Sequence, residues 1–183
     1  MTRSAFVGVA LIALVAIGLP APVAADDAAE ITKDSQAALA QLYASVPNAK
    51  ALGAKAVAIL VFPKITKAGL GIGGQSGEGA MLRGGKVVGF YKSSGGSFGL
   101  QAGVQTFSYA MFLMNDKAVQ ELNAAKGFEI GVGPSVVVMD EGKAKTMTTT
   151  TAKDDIYAFI FGQKGLMAGL GIQGNKLSKI DKD

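Results

Sequence analysis

Ser97 stands in Gly95-Gly96-Ser97-Phe98-Gly99, the G-x-S-x-G spacing that in hydrolases lifts a nucleophilic serine onto a sharp turn. That serine needs a base to take its proton, normally a histidine. The 183-residue chain has no histidine and no cysteine, and no serine has a lysine three residues on, so neither a triad nor a Ser-Lys dyad can be assembled. The same absences remove thiol nucleophiles, haem ligation by either residue and zinc sites with nitrogen or sulfur ligands. Gly69-Leu70-Gly71-Ile72-Gly73-Gly74 matches G-x-G-x-x-G. However, Gln75 to Gly79 leads on into another apolar strand pattern, where a dinucleotide site needs a helix facing the pyrophosphate. Gly85-Lys86 lacks the upstream glycine and the following hydroxyl residue of a phosphate loop. The carboxylates come as neighbours, Asp26-Asp27, Asp140-Glu141 and Asp154-Asp155, which point apart in a strand and match no calcium loop. The chain reads as a non-enzyme with no cofactor and no metal.

What remains is surface charge. From Lys50 to Lys92 seven basic residues face Glu78 alone, a net +6, whereas Asp26 to Asn48 carries a net −3. Lys64, Lys67, Arg83, Lys86 and Lys92 flank segments holding Leu70, Ile72, Phe90 and Tyr91, a pattern that can set cations around an apolar surface. Each cation near an anionic bilayer contributes about 1 kcal/mol, fading over roughly a Debye length. These nine residues are the candidate lipid-binding set. Nucleic acid ranks far below, because beyond the leader Arg83 is the lone arginine and aromatics make up 7% of the chain. The ordinary alternative is a solvated lysine face over a plain apolar core.

The elements that must position these residues follow from periodicity. Residues 1–25 read as a secretory signal peptide: Arg3, the apolar run Phe6 to Leu19, then Val23-Ala24-Ala25. The expectation is a periplasmic or secreted protein, peripheral at a membrane, with residues 26–183 forming one domain. Ile31, Ser35, Ala38 and Leu42 predict a helix over 26–44, which Pro47 ends, followed by a short helix over 48–55. The period then becomes two, predicting strands over 57–62, 68–73, 79–83, 86–92 and 97–114, with a two-residue turn at Gly84-Gly85. Asn115 caps a helix through Val119, Leu122 and Ala125, ended by Gly127. Further strands are predicted over 128–132, 135–140, 144–151, 156–161 and 166–172. The predicted class is α+β: a mostly antiparallel barrel or sandwich with a few short helices, the N-terminal helix packed on it.

Thirteen of the 25 glycines fall between Gly69 and Gly103. Alternation puts Gly69, Gly71 and Gly73 on one face of a strand, a bare backbone strip open to close approach. Around it lie Leu60-Val61-Phe62-Pro63-Lys64, Lys67-Ala68-Gly69, Gly77-x-Gly79, Gly99-Leu100-Gln101-Ala102-Gly103, Gly131-x-Gly133-Pro134-Ser135 and Lys164-Gly165-Leu166-Met167-Ala168-Gly169. In order and spacing these resemble the core of the SYLF domain family over residues 35 to 175. The resemblance implies a lipid-binding module, with anionic phospholipid or a membrane surface as partner. The alternative is a cell-envelope structural or interaction module whose glycine-lined face receives a protein or another copy of the chain.

Overall fold

The computed structural model describes residues 27–124, 128–129, 136–139, 154–165 and 176–182. Helix α1 (Ala28–Ser45) starts where the Asp27 carboxylate accepts the Glu30 N–H at 2.6 Å. It buries Ile31, Ser35, Ala38 and Leu42, the stripe its spacing predicts. Pro47 both stops α1 and opens α2 (Pro47–Gly53), because a proline lacks only the N–H that a first turn leaves unused.

Strands β1 (Ala58–Arg83) and β2 (Lys86–Leu113) form one antiparallel hairpin. Its tip is Gly84-Gly85, with φ of 57° and 79°, the left-handed pair that a type I′ turn requires. A straight strand of that length would run roughly 85 Å at about 3.3 Å per residue. Instead it doubles back. A Cβ placed on Gly77 would lie 2.4 Å from the Lys64 carbonyl oxygen, and one on Gly79 2.2 Å from that of Val61. Register shifts between Phe62 and Ile65, Leu70 and Ile72, and Met81 and Leu82 supply the bending. Counting by twos from Ile65 puts Lys67, Gly69, Gly71, Gly73, Gln75, Gly77 and Gly79 on one face, so the glycine strip lines the inside of the bend.

Folding the hairpin makes two layers of one six-stranded sheet. The first half of β1 and the second half of β2 continue through β5 (Ile156–Gly165), antiparallel to β2, into β4 (Val136–Met139), parallel to β5. The first half of β2 pairs with β6 (Lys176–Ile180), which pairs with β3 (Phe128–Glu129). Between the layers Leu60, Phe62, Tyr109, Met111 and Ile160 meet Met81, Tyr91 and Leu177, joined by Val119 and Leu122 of α3 (Asp116–Leu122). On the opposite face Val61, Phe112, Tyr157, Phe159 and Phe161 lie under Ala38, Leu42 and Leu52 of the helices. Phe112 and Phe159 meet edge to face, with centroids 5.1 Å apart.

The α+β class is as predicted, with α1 packed on the sheet, but among the described residues the sheet folds over without closing into a barrel. The predicted breaks at 63–67, 74–78 and 93–96 are absent, since the strands run through them with bulges. Strand β6 was not predicted. Helix α3 is capped by Asn115 as expected, its side chain accepting from the Ala118 N–H at 2.9 Å, but it ends at Leu122. The predicted helix end at Ala125 to Gly127 and the predicted strands over 144–151 and 166–172 lie outside the described residues.

Candidate anion-binding surface and cleft

The doubled hairpin sorts the candidate cations by face. Lys64, Lys86 and Lys92 are exposed. Arg83 sits across from Lys86 at the hairpin tip and makes an ion pair with Asp116 of α3 at 3.0 Å. Lys92 pairs across the strands with Glu78 on one side and Ser178 on the other, and the Glu78 carboxylate is held by Lys182 at 2.7 Å. Two of the predicted contacts are corrected. Lys67 is only 2% exposed, because it follows Ile65 on the inner face of the bend, opposite the equally buried Gln105. Tyr91, also 2% exposed, is a core residue whose hydroxyl donates to the Asn123 side chain. Phe90 is half-buried on the outer face beside Ile180. The side chains of Leu70 and Ile72 lie outside the description. Gly69, Gly71 and Gly73 follow Lys67 by twos along β1; a close backbone approach is seen at Gly77 and Gly79, which were not singled out for it.

Beside Lys64 the fold builds a cleft of about 600 Å³ between α1 and the first layer. Its origin is a pair of bulges facing each other across β2. On one side Pro63 and Lys64 of β1 together face the single residue Ser108; on the other Gly162 and Gln163 of β5 together face Phe107, one extra residue in each strand. Between them the Ser108 hydroxyl donates to the Pro63 carbonyl at 2.8 Å, tying the first bulge shut. Gly162 adopts φ of 61°, which only glycine takes without strain. A Cβ there would lie 3.3 Å from Ser108 Oγ and 3.7 Å from Gln41 Nε2, so two polar groups converge on its bare backbone. Asp34 and Gln41 of α1, Lys64 and Lys164 complete the polar wall. Sequence reasoning had found Lys64 alone of these.

A second cleft, about 480 Å³, opens between the helices and the hairpin tip. It is lined by Leu39, Tyr43, Ala56, Ile59 and Leu82, with Lys50 among them. Burial raises the Tyr43 hydroxyl above its ordinary pKa. No described helix is long and apolar enough to cross a membrane.

Residues 94–183 match the family model Ysc84, described as a Las17-binding protein actin regulator. The C-terminal part of the chain is thus similar to this SYLF-type family. The match begins inside β2 and takes in β3 to β6, so Ser108, Gly162 and Lys164 of the cleft fall within it, while α1, α2 and β1 precede it. No curated protein matches the chain.

Proposed function

We propose that the protein is a non-enzymatic, membrane-peripheral module of the cell envelope that binds anionic phospholipid head groups through the exposed lysines of the doubled hairpin. One observation carries this reading: Lys64, Lys86 and Lys92 project to solvent from the first bulge, the turn and the outer layer respectively, and none makes an ion pair among the described residues. Unpaired lysines keep their whole charge for an external anion. Half-buried Phe90 beside Lys92 adds an apolar contact at the same surface. The leader read in residues 1–25 supports a periplasmic or secreted location. The family description points instead to a protein partner, the second reading.

Charge reversal discriminates the two. The triple variant Lys64→Glu, Lys86→Glu and Lys92→Glu should lose roughly a hundredfold or more in apparent affinity for phosphatidylglycerol vesicles, at about 1 kcal/mol per cation. Circular dichroism should show it folded. A folded triple variant that pellets with vesicles as the parent does would remove the lysine surface and favour the protein partner.

A further inference from the structure

The cleft at the paired bulges has a chemistry that the exposed lysines elsewhere do not share. Lys86 and Lys92 stand on open strand surface, where an anion meets one charge and water. In the cleft Lys64 and Lys164 arrive from opposite flanks of β2, and Gln41 and Ser108 converge on the bare backbone of Gly162. Two cations and an amide donor around a concave space match the several acceptor oxygens of a phosphate group, while the Ser108 hydroxyl, committed to the Pro63 carbonyl, fixes the bulge that carries Lys64. Asp34 shares the same wall. A carboxylate there repels a bare phosphate, and it favours a phosphate ester whose other end brings hydroxyl or ammonium donors. The bulges serve no pairing purpose, since each removes ladder bonds from the centre of a sheet; such irregularities recur where a strand must re-aim its side chains at a site.

We infer that this cleft is a phosphate-ester subsite: Lys64 and Lys164 hold the phosphate against Gln41 and the Gly162 backbone, and Asp34 selects esters carrying a donor group. The inference rests on the lipid reading only for the source of the phosphate, which can be a phospholipid head group or a free small-molecule ester.

The test uses the purified protein, glycerol 3-phosphate and inorganic phosphate, followed by amide chemical shifts, with phosphatidylglycerol vesicle pelleting in parallel. Glycerol 3-phosphate should shift Ser108, Gly162 and Lys64, and bind more tightly than inorganic phosphate. Lys164→Ala should weaken it about tenfold or more, the usual effect of removing a charge-assisted hydrogen bond. Asp34→Asn should narrow the preference for the ester. Lys117→Ala, on the exposed face of α3, should leave the ester affinity and the preference unchanged. If Lys164→Ala also weakens pelleting, the phosphate comes from lipid; if pelleting is unaffected, the cleft takes free esters. Either result supports the subsite. Absence of shifts in the parent, or shifts that survive Lys164→Ala in a variant with an unchanged melting temperature, overturns it whatever the vesicles do. Conversely, failure of the parent to pellet defeats the lipid reading and leaves a glycerol 3-phosphate result standing.

Discussion

Tyr109 carries its hydroxyl into the inner core, 1% exposed and stacked beside Phe62, with no hydrogen bond among the described residues. Burial alone raises its pKa far above the ordinary value of 10.0. The sign is then fixed. An unfolded tyrosine ionises near pH 10 while the folded one stays neutral, so this group's contribution is intact below about pH 10 and is lost as pH rises beyond it. Tyr109→Phe removes an unsatisfied polar atom without changing shape. It should raise stability by about 1 kcal/mol at neutral pH and make the alkaline decline shallower, as read by urea unfolding at pH 8 and pH 10.5. The decline should not vanish, since Tyr43 and Tyr91 are also raised by burial. Lys67 supplies the contrasting case. Lys67→Glu places a carboxylate in the buried position opposite Gln105 and should cost about 3 kcal/mol or more, whereas Lys86→Glu on the exposed turn should stay within about 0.5 kcal/mol. Equal unfolding midpoints for the two variants would contradict the inner placement of Lys67.

At the scale of elements the doubled hairpin is the decisive feature, and its glycines divide by what they face. Gly79→Ala drives a methyl into the Val61 carbonyl and should destabilise by about 2 kcal/mol or more, because backbone cannot yield as a side chain can. Gly96 has open space around its Cβ position, so Gly96→Ala should be neutral within about 0.5 kcal/mol. Thermal melts of the two variants check the bend directly. The helix α1 was legible in the sequence because Ile31, Ser35, Ala38 and Leu42 repeat with the helical period, and the turn at Gly84-Gly85 because few other residues tolerate positive φ. The continuity of β1 was not. Glycine usually signals a break, and here it lines a concave face whose opposing wall, Val61 to Ile65, lies more than a dozen residues away. Strand β6 was missed because in Lys176 to Ile180 Leu177 is the one deeply buried residue and Ile180, three positions on, falls out of its period-two alternation, too little pattern to register. The cleft was half legible. Lys64 stood out as one of the cations of the basic segment from Lys50 to Lys92, but Gln41, Ser108 and Lys164 are ordinary residues until the paired bulges bring three elements together.

For the whole molecule, burial on both faces of the first layer gives a sheet held by two apolar cores and no disulfide, since the chain has no cysteine. The cations therefore sit on a framework whose packing does not depend on them, and surface charge can be reversed without loss of fold. Lipid attachment built from separate exposed lysines should also be screened: most of the attraction should disappear as the Debye length shrinks from about 10 Å at 0.1 M salt to about 3 Å at 1 M. An apolar contact with a protein or with another copy of the chain would hold or tighten under the same change. The most direct measurement is co-sedimentation of the purified protein with phosphatidylglycerol and with phosphatidylcholine vesicles at low and at high salt. Pelleting with the anionic vesicles alone, lost at high salt, is the predicted result; no pelleting with either vesicle, or pelleting indifferent to lipid charge and salt, would contradict it.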